Sequence, residues 1–152
     1  MKKLVLLLGL SSFIFANTLP QDLVCKKVKK SDIEKIMQTK YKIVRVGKLP
    51  INPPYDLSFC EYTNRVLPDI SIYYYYKSSA KVYPLDSKVE ELKNLDFLAR
   101  VVYNDNGEVF EIIGDTKEGS KIVFVFRKEI KKDSKKYKEA LKLLKKLVKE
   151  FK

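Results

Sequence analysis

The sequence predicts an α+β domain, in which an antiparallel β-sheet of about five to six strands packs against a short N-terminal helix and a C-terminal amphipathic helix. Runs rich in β-branched and aromatic residues, separated by short turns, predict strands that pair antiparallel. Apolar residues at helical spacing near the C-terminus predict the helix that covers the sheet.

The first segment has the pattern of a secretory signal peptide. Two lysines precede an apolar run over residues 4–15, and Ala16 offers a small residue for cleavage. A membrane-spanning helix needs about 20 apolar residues, so residues 4–15 are too few for an uncleaved anchor. We therefore expect residues 1–16 to be removed, residues 17–152 to form one domain without a transmembrane span, and the protein to be periplasmic or secreted.

The chain has two cysteines, Cys25 and Cys60. In an exported protein an even pair predicts a disulfide bond. Closing a loop of about 36 residues is worth roughly 4 kcal/mol in the chain-entropy model. A redox-active pair is the alternative, but such pairs are usually close in sequence, as in Cys-x-x-Cys. We expect a structural bond.

The N-terminal half should contain one helix followed by strands. Ser31 and Glu34 have the spacing of a capping box, which predicts a helix over residues 31–40. The next segments are a weak strand at 41–46, a proline-containing loop at 47–54, and strands at 58–63 and 69–77.

The C-terminal half should contain a short helix, three strands and a long helix. The segment Asn104–Gly107 predicts a hairpin turn between two of these strands, because Asn and Gly tolerate positive φ. The segments are a helix starting within 86–92, strands at 97–103, 108–113 and 121–127, and an amphipathic helix at 134–152.

The C-terminal helix combines an apolar stripe with many lysines. It could lie on an anionic membrane surface, or it could pack its stripe on the sheet and leave its lysines in water. Because several strands are apolar on both faces, the sheet needs a cover. We therefore favour the packed helix.

Composition limits the chemistry. The formal net charge is +12, but the 31 basic residues include only four arginines, which are Arg45, Arg65, Arg100 and Arg127. Arginine is the residue best suited to bidentate phosphate and base recognition, and an exported protein seldom meets nucleic acid, so we expect no nucleic-acid partner. The chain has no histidine, which excludes Ser-His-Asp and Cys-His catalysis and histidine-containing zinc sites. We expect no cofactor and no metal.

Carboxylates leave one catalytic alternative open. Four acidic residues fall on or near predicted strands, namely Glu61, Asp96, Glu108 and Glu111. Two carboxylates suffice for glycoside hydrolysis, but no spacing selects a pair. We therefore name no catalytic residue and consider an enzyme less favoured than a binding protein.

The run of four tyrosines over residues 73–76 is the most unusual feature. Strand alternation places Tyr73, Tyr75 and Lys77 on one face, and Tyr74 on the other. Tyrosine suits half-exposed binding surfaces, and Arg100 or Arg127 could lie nearby. The alternative is cross-strand tyrosine packing that only stabilises the sheet.

These observations predict an exported, non-catalytic binding or accessory protein of the bacterial cell envelope. Tyr73, Tyr75 and Lys77 are the candidate binding residues, and the partner would be an envelope protein, a glycan or a polyanion. One alternative is electrostatic binding to anionic lipid or a polyanion through the basic C-terminal helix. Another is a small carboxylate-dependent hydrolase.

Overall fold

The computed structural model describes residues 23–51, 55–79 and 81–151, so the predicted signal peptide lies outside the described residues. The fold is α+β, as predicted, although the sheet has seven strands rather than five to six. The elements are α1 Leu23–Lys27, α2 Lys30–Met37, β1 Ile43–Ile51, β2 Tyr55–Thr63, β3 Ile70–Tyr75, β4 Lys88–Glu91, β5 Ala99–Tyr103, β6 Val109–Asp115, β7 Lys121–Phe126 and α3 Lys135–Glu150.

All seven strands pair antiparallel, in the order β1-β2-β3-β7-β6-β5-β4. The sheet therefore consists of two meanders, β1–β3 and β4–β7, which join where β3 pairs with β7. Ser71 lies opposite Val125, and Tyr73 lies opposite Val123, across this junction. The connection from β3 to β4 must cross from the middle of the sheet to its far edge.

The helices cover one face of the sheet. Helix α3 is capped by Ser134, whose side chain accepts a hydrogen bond from the Tyr137 backbone N–H at 3.2 Å, as expected of an N-cap serine. The apolar stripe of α3 is buried, which confirms the packed-helix prediction; its buried members are Tyr137, Ala140, Leu143, Leu144, Leu147 and Val148. No helix within the described ranges is long and apolar enough to cross a membrane.

The disulfide between Cys25 and Cys60 is present, with the two Cα atoms 5.4 Å apart. It ties α1 to the middle of β2. A five-residue helix is too short to be stable alone in water, so the bond and the fully buried side chain of Val24 hold α1 against the sheet. A disulfide is typical of an oxidising compartment.

The predicted capping box is not formed. Helix α2 begins at Lys30 with Lys29 at the N-cap, and the cap makes no side-chain hydrogen bond. Glu34 instead accepts a hydrogen bond from the backbone N–H of Tyr41 at 2.9 Å, and it pairs with Lys40 at 3.2 Å. The Glu34 carboxylate therefore holds the segment that follows α2 and does not cap the first turn of the helix.

Two segment predictions are wrong. Residues 47–51 are not a loop, because β1 continues to Ile51; β1 is an edge strand, where a proline can be accommodated. Residues 88–91 are β4 rather than helix. There Val89 lies opposite Val102, so pairing with β5 outweighs the weak helical pattern.

Candidate ligand-binding face

The sheet face opposite the helices, called here the helix-free face, carries a separate apolar cluster. Its buried members are Val102, Ile113, Val123 and Val125, with Tyr73, Tyr75, Val82, Tyr83, Val89 and Phe110 packed against them. The main core lies on the other face and contains buried residues of α1, α2 and α3 together with Tyr74. The two sets alternate along the strands, as the pleat requires.

Tyr73 and Tyr75 lie on the helix-free face, where the alternation predicts them. Both side chains are half-buried, and their ring centroids are 6.2 Å apart. Phe59 continues the row, with its centroid 6.1 Å from that of Tyr73. Burial, together with the charges of Tyr73 and Glu111, raises the pKa of Tyr75 to about 12. The Tyr75 hydroxyl is therefore neutral near pH 7, and this ring offers an uncharged contact.

The third predicted site residue is placed differently. Strand β3 ends at Tyr75, and Lys77 has a positive φ of 44°, so the strand alternation does not extend to it. The Lys77 ammonium lies 5.2 Å from the ring centroid of Tyr76, a cation–π distance. The structure therefore associates Lys77 with Tyr76, which packs against the main core, and not with the Tyr73–Tyr75 row.

Phe59 owes its position to a glycine on the neighbouring strand. Gly47 lies opposite Phe59 across β1 and β2, and a Cβ at Gly47 would come within 1.9 Å of the Phe59 ring. The ring therefore lies directly over the glycine backbone. This close approach leaves no room for a side chain at position 47 while the Phe59 ring stays in place.

A chain of hydrogen bonds runs beside the aromatic row. Arg127 Nη1 donates to Ser71 Oγ at 3.1 Å, and Ser71 Oγ donates to Glu61 Oε1 at 3.2 Å. The Tyr73 hydroxyl reaches the same Glu61 oxygen at 3.5 Å. Arg45 lies opposite Glu61 on the edge strand. Three neighbouring strands and the end of β7 thus place charged and aromatic side chains on one surface.

Arginine is concentrated on this face. Arg45 is opposite Glu61, Arg100 is opposite Ile113, and Arg127 bonds to Ser71, so three of the four arginines of a lysine-rich chain lie here. Arg100 pairs with Asp115 at 3.3 Å. Of the two arginines that the sequence suggested as neighbours of Tyr73, Arg127 is in the hydrogen-bonded chain and Arg100 is committed to an ion pair.

Glu111 is the least expected residue on the face. It lies between Val125 and Val102 on the neighbouring strands, is 6% exposed, and its Oε2 is buried without a hydrogen-bond partner. Burial raises the pKa of Glu111 to about 7, because an ionised carboxylate is costly to remove from water. The sequence places this acid on a strand, but its burial depends on tertiary packing.

The connection between β3 and β4 crosses this face. Within it, Val82 and Tyr83 pack against the cluster of Val102, Ile113, Val123 and Val125. Lys121 Nζ donates to the Ser78 carbonyl oxygen at the start of the crossing. The connection therefore covers part of this face. Tyr73 and Tyr75 stay half-buried beside it.

The opposite side of the molecule carries the lysines of α3. A shallow groove of about 240 Å³ between α2 and α3 is lined by residues of both charges, including Asp32, Lys35, Glu139 and Lys142. Glu139 pairs with Lys35 at 3.0 Å and with Lys142 at 2.9 Å. This surface is basic but partly neutralised, and it lacks exposed aromatic rings among the residues that line it.

Comparisons of the chain with family models, with curated proteins and with solved structures found no match.

Proposed function

We propose that the chain is an exported, non-catalytic binding or accessory protein of the bacterial cell envelope, and that it binds through the helix-free face. The observation that carries the proposal is the position of Tyr73 and Tyr75, whose rings lie on the sheet face opposite α1, α2 and α3, the helices of the described residues. Half-buried tyrosines offer a rigid apolar surface and a hydroxyl group at low entropic cost.

The chemistry of the face favours binding over catalysis. The chain has no histidine, the Glu61 carboxylate accepts hydrogen bonds from Ser71 and Tyr73, and the Glu111 Oε2 is shielded from solvent. An acid–base catalyst needs carboxyl groups that can reach a substrate. The Glu61 carboxylate is engaged by Ser71 and Tyr73, and the Glu111 carboxyl group is buried.

Export is supported by two independent features. The leading residues 1–16 have the signal-peptide pattern, and the Cys25–Cys60 disulfide suits an oxidising compartment. A periplasmic or secreted binding protein would meet cell-wall glycans and other envelope polymers, whose sugar rings can stack their C–H faces on tyrosine.

The test is co-sedimentation of the purified mature chain with isolated cell-wall sacculi. We expect the double variant Y73A/Y75A to lose at least tenfold in affinity. The matched control is Y76A, which removes a tyrosine of the same run from the other sheet face. Thermal unfolding of each variant shows whether the fold survives. Unchanged binding by a folded Y73A/Y75A variant would refute the proposal.

One observation favours a second function, which is electrostatic binding to anionic lipid through α3. The exposed side of α3 carries lysines such as Lys138, Lys145 and Lys149, while its apolar stripe is occupied by the core. Attachment to anionic lipid through α3 would therefore be electrostatic, without insertion. Binding to anionic vesicles should then be lost between low and high salt, and salt-independent binding would exclude this mode.

A further inference from the structure

We infer that the helix-free face recognises a carboxylate-bearing saccharide, with the arginines Arg45 and Arg127 holding the carboxylate and Tyr73 stacking on the sugar ring. The inference rests on the proposed function and names the ligand class for that same face. The five residues concerned, Arg45, Glu61, Ser71, Tyr73 and Arg127, are called the arginine–tyrosine cluster below.

Arg127 is oriented by a hydrogen bond, and Arg45 is exposed on the edge strand opposite Glu61. Ser71 Oγ holds Arg127 Nη1 at 3.1 Å, and Ser71 is held in turn by Glu61 at 3.2 Å. A guanidinium has five N–H donors, so one bond to a serine leaves most of them for a ligand. Within the described part of the chain, neither Arg45 nor Arg127 has a carboxylate oxygen within 4.0 Å.

The use of arginine is itself informative. The chain has 31 lysine and arginine residues, of which only four are arginine, and three of those four lie on this face. Lysine would supply the same charge for solubility. Arginine adds a planar fork that matches the two oxygens of a carboxylate.

The charge of the cluster suits a singly charged group. Two guanidinium groups and the Glu61 carboxylate give a formal charge of +1, which complements one carboxylate better than a phosphate dianion. The half-buried ring of Tyr73 lies beside these charges, between Phe59 and Tyr75. A sugar ring on Tyr73 would bring a ring carboxylate toward the arginines.

The experiment compares the binding of polygalacturonate, a carboxylate-bearing saccharide polymer, to wild type and to two charge variants. The variant R45K/R127K keeps the net charge but removes both planar forks. The control K138A/K145A removes two exposed positive charges from α3 and leaves the face intact. We expect R45K/R127K to lose at least tenfold in affinity at fixed salt, and K138A/K145A to stay within about threefold of wild type.

Two further polymers test whether the face recognises a carboxylate. Methyl-esterified polygalacturonate, which lacks the charge, should bind at least tenfold more weakly than the free acid, and inorganic polyphosphate should bind without sensitivity to R45K/R127K. The inference is overturned if R45K/R127K binds polygalacturonate like wild type, if the ester binds equally well, or if polyphosphate binds more tightly and depends on the arginines. It is also overturned if wild type does not bind polygalacturonate.

The two proposals can fail separately. If sacculus binding depends on Tyr73 and Tyr75 but R45K/R127K has no effect on polygalacturonate, the binding face stands and the carboxylate assignment falls. If Y73A/Y75A leaves sacculus binding unchanged, the proposed function falls, whatever the polymer result.

Discussion

The ring of Tyr74 stacks on the ring of Phe151, with the centroids 4.3 Å apart and the planes inclined by 23°. Phe151 follows directly after α3 and is 7% exposed. The contact fixes the end of the helix on the sheet and commits Tyr74, the second tyrosine of the run, to the core. Its neighbours Tyr73 and Tyr75 consequently point to the other face.

Phe151→Ala should lower the free energy of unfolding by about 3 kcal/mol, because it removes a buried aromatic ring and leaves a cavity beside Tyr74. Urea unfolding measures the change. The exposed control Leu67→Ala should change it by less than about 0.5 kcal/mol, since Leu67 is 69% exposed. Equal effects of the two substitutions would contradict the stacking role of Phe151.

Glu111 should make stability fall as pH rises. Burial raises its pKa to about 7, above the unfolded value of 4.5, so its stabilising contribution is complete below pH 4.5 and is lost as pH rises to 7 and above. The expected loss is about 3 kcal/mol. Urea unfolding of wild type and Glu111→Gln between pH 4.5 and 8 measures it.

The difference between wild type and Glu111→Gln isolates this group. Glu34, Glu90 and Glu139, whose pKa values are lowered by hydrogen bonds and nearby lysines, titrate equally in both proteins. Val102 and Val125 beside Glu111 do not titrate, and Tyr75 stays neutral in this range because its pKa is raised to about 12. Parallel pH profiles for the two proteins would show that Glu111 is not buried as described.

Removing the disulfide should cost about 4 kcal/mol of unfolding free energy through loss of the loop constraint. The double variant Cys25→Ala/Cys60→Ala is compared with wild type by urea unfolding, without and with reducing agent. Reducing agent should destabilise wild type to about the level of the variant and leave the variant unchanged. An unaffected wild type would mean that the bond between α1 and β2 adds no stability.

Gly47→Ala should be destabilising only while the Phe59 ring is present. A Cβ at Gly47 would come within 1.9 Å of that ring, so the ring must move, at a cost of about 1–3 kcal/mol. In the Phe59→Ala background the same substitution should cost less than about 0.5 kcal/mol. Equal costs in both backgrounds, measured by urea unfolding, would show that the ring does not lie on Gly47.

The strands and the covering helix could be predicted because the relevant patterns are local. The α3 stripe has helical spacing, and the alternation through Tyr73, Tyr74 and Tyr75 assigns each ring to a face. The β1 extension to Ile51 and the assignment of residues 88–91 to β4 could not be predicted, because both depend on pairing with a strand found elsewhere in the chain.

The site was predictable only in part. Tyr73 and Tyr75 follow from the alternation, but Lys77 does not, because the turn after Tyr75 adopts a positive φ at a residue that gives no sequence signal for it. Arg45 and Glu111 join the face through strand register. An acid directly before two isoleucines in β6 is a weak signal that could have drawn attention to Glu111.

The junction of the two meanders has a consequence for how the protein folds. Each meander can form from contacts between neighbouring strands, but pairing β3 with β7 requires closing the intervening chain of about 45 residues, which is entropically costly. We therefore expect the junction to form last. Arg45 and Tyr73 belong to the first meander, whereas Arg127, which bonds to Ser71, follows the second. The surface proposed for binding exists only after this last step, so recovery of ligand binding during refolding would time the completion of the fold.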